Sequence, residues 1–191
     1  MARWEPNTRE RLVLAALDLF TDQGYDATTV SEIAERAGGL TKMTFFRYFA
    51  DKREVLFAGQ EIHSRILADA VAAAPDQATP LQAVAAALDA LAATFADDRR
   101  DLGAKLRAVI AGNSELRERA TFKRAGLTAA MTAALEKRGV PDMTASLAAE
   151  LGVGAFYRAF DQWADPASEQ TLTYLTRRAL GELRAAAATL G

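Results

Sequence analysis

The chain has 191 residues, half of them apolar, with 23 Lys or Arg against 25 Asp or Glu and a formal net charge of −2. That length allows a sizeable core, arranged as one domain or as a small and a large one. The absence of cysteine and the single histidine exclude disulfides, thiol nucleophiles and zinc fingers, and argue against a catalytic triad, so no cofactor, metal or enzymatic activity is expected. No apolar run approaches the roughly 18 residues of a membrane-spanning helix, and the polar start "MARWEPNTRERL" has no signal-peptide pattern. A cytoplasmic protein without a membrane partner is the expectation.

Apolar residues recur at helical spacing, and alanine and leucine dominate, which predicts an all-α fold without strands. Leu12, Ala15, Ala16, Leu19 and Phe20 form the stripe of a first helix closed by Gly24. Thr29 and Glu32 carry the capping-box spacing for a short second helix, whose apolar face is Val30, Ile33, Ala34 and Ala37. Thr41 can cap a third helix through Tyr48 or Phe49. Asp51 and Glu54 repeat the capping pattern for a long fourth helix through Ile62 and Ile66 to about Ala74. Pro75 to Pro80 reads as a loop, followed by a fifth helix to about Ala96 and a sixth ending near Gly112. A long helix from Ser114 to Arg138 precedes a final antiparallel pair over Thr144 to Ala164 and Ser168 to Leu190.

Three short helices, the second and third separated by a few residues with glycine, make a helix-turn-helix candidate over about 29–49. Within residues 36–53, Arg36, Lys42, Arg47, Lys52 and Arg53 face only Asp51, a local excess of four positive charges on a weakly acidic chain. A helix in that position enters the DNA major groove. Thr41, Lys42, Met43 and Thr44 offer two hydroxyls, an ammonium and an apolar group suited to a thymine methyl. Arg47, Tyr48 and Lys52 can hold phosphates, and Thr29 with the first amides of the second helix forms another anion grip. Phe45 and Phe49 read as core by their spacing.

The stretch "RERLVLAALDLFTDQGYDATTVSEIAERAG" followed by "LTKMTFFRYFADKREVL" resembles the N-terminal DNA-binding domain of TetR-type transcriptional regulators, over about a quarter of the chain. The resemblance implies phosphate contacts at Thr29, Tyr48 and Lys52 and a base-reading surface at Thr41 to Thr44, with Arg47 contributing. Two positions depart from the family pattern. Phe46 stands where tyrosine is common, and it has no hydroxyl to reach the DNA backbone. The turn "AGGLT" is one residue longer than the usual Ala-Gly-hydrophobic-Ser/Thr. Either Gly38 or Gly39 then fills the family glycine position; the expectation is that Gly38 caps the second helix, Gly39 is inserted and Leu40 plugs the core.

By the same resemblance, residues 1–59 form the DNA-binding domain and 60–191 a helical ligand-binding and dimerisation domain. The expected partners are a palindromic double-stranded DNA operator, a small-molecule effector and a second copy of the chain, in a repressor whose effector shifts the fourth helix and releases DNA. A heptad-like stripe of small residues, Ala145, Ala148, Gly152, Ala155 and Ala159, suggests the homodimer contact. Phe95, Leu106, Ile110, Phe122, Met131 and Tyr157 are apolar candidates for either core or pocket, and no ligand-binding residue is selected. His63 reads as structural. A helical ligand-binding or adaptor protein of the same fold that does not bind DNA is the competing expectation, favoured by Phe46 and the weak charge and opposed by Lys42, Tyr48 and Lys52.

Overall fold

The computed structural model describes residues 7–190, in which nine α-helices and two 3₁₀ turns occur and no strand. The helices are α1 (Thr8–Gln23), α2 (Val30–Arg36), α3 (Lys42–Tyr48), α4 (Gln60–Ala72), α5 (Pro80–Ala92), α6 (Arg100–Gly112), α7 (Ser114–Lys137), α8 (Asp142–Trp163) and α9 (Leu172–Ala188). The 3₁₀ turns lie at Arg53–Phe57 and Asp97–Arg99.

Helix starts follow side-chain caps. Asn7 accepts the Glu10 amide, Thr29 and Glu32 close a reciprocal capping box, and Thr79 and Gln82 close another with Pro80 in the first turn. Three expected elements differ. The fourth helix breaks into the Arg53–Phe57 turn and α4, with Gly59, a poor helix former, at the α4 N-cap. The fifth stops at Ala92, beyond which the Thr94 hydroxyl donates to the Leu91 carbonyl at 2.7 Å. The ninth begins only at Leu172, because Thr171 is the residue whose hydroxyl accepts a first-turn amide, from Tyr174 at 3.3 Å, while Ser168 closes a turn onto Asp165.

The chain divides into two compact units: one takes the residues up to Ala58 together with Lys105–Ala120, the other takes Gly59–Ala104 and continues from Thr121. In the first, Leu12, Ala16 and Phe20 of α1, Ile33 and Ala34 of α2, Phe45 of α3, and Phe49, Val55 and Leu116 are buried. Each large member contributes about 1.5–3 kcal/mol by leaving water. Polar contacts bind 105–120 into this unit: Lys105 pairs with Asp18 at 2.7 Å, Asn113 donates to Asp26 at 3.3 Å, and Arg119 Nε donates to Glu54 at 2.6 Å.

In the second unit the α8–α9 hairpin packs on α5, and α4 and the C-terminal part of α7 complete one apolar core. Arg138 holds the end of α4 by donating to the Ala74 and Pro75 carbonyls, each at 2.7 Å. Close approach of α5 and α8 depends on Gly152, where a Cβ would stand 2.4 Å from Val84 Cγ1. The stripe expected at a dimer contact therefore needs correction. Ala145, Ala148, Gly152, Ala155 and Ala159 are all buried within the chain, their small size serving its own helix packing.

Candidate nucleic-acid interface

At the start of α2 the Thr29 hydroxyl accepts the Glu32 amide at 3.2 Å and donates to the Glu32 carboxylate at 2.7 Å, which also accepts the Thr29 amide at 2.7 Å. These bonds, the hydroxyl's first, hold the Glu32 carboxyl below its ordinary range. Thr29 is exposed at this N-terminus, as the anion-grip reading requires, but in the free domain its hydroxyl is engaged with Glu32.

Helix α2 ends at Arg36, and two consecutive glycines then reverse the chain with positive φ, 107° at Gly38 and 69° at Gly39. Their amides both reach the Glu35 carbonyl, at 3.1 and 2.8 Å, and the Leu40 amide returns to Ala34 at 2.9 Å. The extra residue is thus absorbed by a second left-handed position. Leu40 is half-buried, less enclosed than a core plug.

Thr41 then caps α3, accepting the Thr44 amide at 3.1 Å, with the two hydroxyls 3.0 Å apart. Phe45 and Phe49 point into the core, which turns Lys42, Met43, Phe46 and Arg47 outward. Met43 is 84 % exposed and Phe46 46 %. Lys42 Nζ sits 5.9 Å above the Phe46 ring, and the Arg47 guanidinium 5.5 Å above that of Tyr48. The structure gathers the four base-reading candidates Thr41, Lys42, Met43 and Thr44 on or beside this face. It adds Phe46, which lies four residues past Lys42 and three past Met43, a spacing already visible in the sequence.

The basic cluster does not act as one surface. Neither Lys42 nor Arg47 forms an ion pair among the described residues. Arg53 instead pairs with Asp51 at 2.9 Å and Glu115 at 3.1 Å. Burial alone would raise the Asp51 carboxyl, but Arg53 and the Glu54 amide bring it below its ordinary value. Lys52, expected beside Arg47 and Tyr48, donates to the Tyr25 and Thr28 carbonyls at 2.7 and 2.9 Å and lies 4.1 Å from the centre of the Tyr25 ring. The contribution of residues 105–120 had no sequence signal, because the pairs Lys105–Asp18 and Arg119–Glu54 join positions remote along the chain.

In the second unit, Phe95 centres a group of rings formed with Phe156, Phe160 and Trp163, and His63 lies tilted beside it with ring centres 5.5 Å apart. Burial lowers the His63 imidazole below its ordinary value. Met131 is core, whereas Phe122 is exposed. The outward side of α8 lines two open grooves of about 430 and 240 Å³ that share Leu147 and Leu151; Arg124, Tyr157 and Leu183 line the larger. Among the described residues no cluster of His, Cys, Asp or Glu could hold a metal, and no helix is long and apolar enough to cross a membrane.

Residues 12–58 match the family model described as bacterial regulatory proteins, tetR family. The HTH-type transcriptional regulator TcmR of Streptomyces glaucescens is 40 % identical over 84 residues, covering 44 % of this chain and 37 % of TcmR. BetI of Rhizobium meliloti, also an HTH-type transcriptional regulator, is 41 % identical over 83 residues, covering 43 % and 40 %. The chain thus spans about two-fifths of the length of these relatives. The regulator FadR of Bacillus subtilis, solved with stearoyl-CoA, shares the fold at a TM-score of 0.61 and 19 % identity, over 91 % of this chain and 96 % of FadR.

Proposed function

We propose that this chain, a member of the TetR family of bacterial regulatory proteins through its N-terminal domain, is a ligand-responsive transcriptional regulator that represses by binding a palindromic operator. The observation that carries the reading is the outward face of α3. After a glycine turn, it presents Lys42, Met43 and Arg47 with no acidic partner for either cation among the described residues, on a helix anchored from behind by Phe45 and Phe49.

On docking, Lys42 reaches guanine acceptors and Met43 packs against a thymine methyl, while the Thr41 and Thr44 hydroxyls exchange their mutual contact for base edges. Arg47, Tyr48 and Thr29 take phosphates, Thr29 by releasing Glu32. Two copies related by a two-fold axis read two half-sites roughly 34–36 Å or a multiple apart. The outward side of α8, with Leu147 55 % exposed beside the half-buried Leu151, and the adjoining part of α9 supply the apolar contact between copies. A small molecule bound in the C-terminal unit favours the state in which the recognition helices no longer match that spacing, and so releases DNA. FadR, with its acyl-CoA, supports a small-molecule role for a C-terminal unit of this fold. The regulatory family supports a non-enzymatic role.

Selection from a random duplex library at low salt tests the reading. Enrichment of a palindrome is expected, and affinity for it falls steeply with salt. Failure to enrich any palindrome would favour a helical ligand-binding protein that does not bind DNA, a reading to which the internal engagement of Lys52 and Arg53 lends weight.

A further inference from the structure

We propose that Phe46 reads the C5-methyl group of a thymine, as a second apolar reader beside Met43, so that each operator half-site carries thymines at two adjacent base pairs; this rests on the DNA-binding reading above. Phe45 and Phe49 take the inward positions at this end of α3 and are buried, whereas Phe46 and Met43 remain exposed on the opposite side. The Phe46 ring is nonetheless held in place. It stands edge to face against the fully buried Phe45 ring, with centres 5.5 Å apart and planes at 84°, and Lys42 Nζ lies 5.9 Å from its centre. A ring fixed before docking gives up little freedom on contact.

The chemistry around the ring selects its partner. Lys42 and Arg47 share the outward face with it, and neither forms an ion pair among the described residues, so the surface suits a polyanion. Phenylalanine has no hydroxyl with which to bond a phosphate or a base edge. What an apolar ring can recognise in the major groove is the thymine methyl, which cytosine lacks. Met43, three residues earlier, offers the same kind of group. Three residues of helix rise by roughly 4.5 Å, against about 3.4 Å between stacked bases, so a helix lying along the groove sets the two side chains on neighbouring base pairs.

A duplex recovered from the random library carries the test, with each thymine of a half-site replaced in turn by deoxyuridine. That exchange removes the methyl and keeps every hydrogen-bonding group. In the wild-type chain two replacements, at adjacent base pairs, should each weaken binding about fourfold, the worth of one buried methyl. Phe46→Ala should bind the parent duplex more weakly and become indifferent to one of these replacements while still responding to the other; Met43→Ala should show the reverse. Phe46→Gln, whose side chain suits a helix, gives the same reading if the alanine chain does not fold. If the Phe46 variants bind the parent duplex as tightly as wild type, or keep full sensitivity at every thymine, the ring touches no methyl; the proposal then falls while the regulator reading stands. If no duplex is enriched at all, the regulator reading falls and this proposal with it.

Discussion

Gly38 and Gly39 are adjacent, alike in composition and both at positive φ, yet they should respond differently to the same substitution. Gly39, at φ 69° with nothing within 4 Å of the place a Cβ would take, has the left-handed helical φ that asparagine and alanine adopt at moderate cost. Alanine there loses about 1–2 kcal/mol to the left-handed conformation and regains about 0.4–1 kcal/mol from the stiffer unfolded chain, a net cost of about 1 kcal/mol. Gly38 has φ 107°, beyond the left-handed helical region, and its Cβ would stand 3.2 Å from Arg11 Nη1. Strain of that kind costs about 1–3 kcal/mol before the guanidinium is displaced. Arg11 Nη1 lies at the far end of a flexible side chain, so its displacement adds little and the cost rests on the backbone conformation. Gly38→Ala should therefore cost about 1–3 kcal/mol, and Gly39→Asn well under about 1 kcal/mol. Native-state hydrogen exchange in the full chain, read at the Phe45 and Phe49 amides that close α3, measures both locally. Equal costs, or a milder effect at Gly38, would refute this reasoning from φ and the space around each glycine.

Gly152→Ala should destabilise the second unit by about 1–3 kcal/mol through overpacking against Val84, and Val84→Ala in the same chain should recover part of the loss; additive effects in urea denaturation would argue against that contact. His63 provides a pH test. Its folded value is depressed below the ordinary 6.5 by burial, so the unfolded chain takes up a proton first as pH falls. Stability should be fully present above 6.5 and decline between there and the folded value; His63→Phe should flatten that part of the profile, and a profile identical to wild type would exclude the histidine as its source. Leu147→Glu on the outward side of α8 should convert a dimer to a monomer in sedimentation without altering helicity, and an unchanged mass would place the contact between copies elsewhere.

Much of the interface was legible in the linear order of residues because its determinants are local. The Thr29–Glu32 box, the Thr41 cap and the inward Phe45 and Phe49 all act within four positions along the chain, where helical geometry determines who meets whom. The double glycine signalled a left-handed turn, although which of the two was the insertion lost its meaning once both adopted positive φ. The basic cluster was misleading for the opposite reason. Charge counted along the chain takes no account of where a flexible side chain ends, and Lys52 and Arg53 find carbonyls and carboxylates brought near by folding.

Sequence alone therefore determined the all-helical class, the Thr29 and Thr41 caps, and the third helix with its outward and inward faces. Only the tertiary structure decided that the small-residue stripe of α8 is buried within the chain, with Gly152 against Val84, and that residues 105–120 complete the first unit. It also decided that Lys52 is enclosed by Tyr25 and Thr28. The physical reason is common to all three. A stripe of alanines or a lysine ammonium specifies what kind of neighbour it needs, and only the folded chain determines which neighbour arrives.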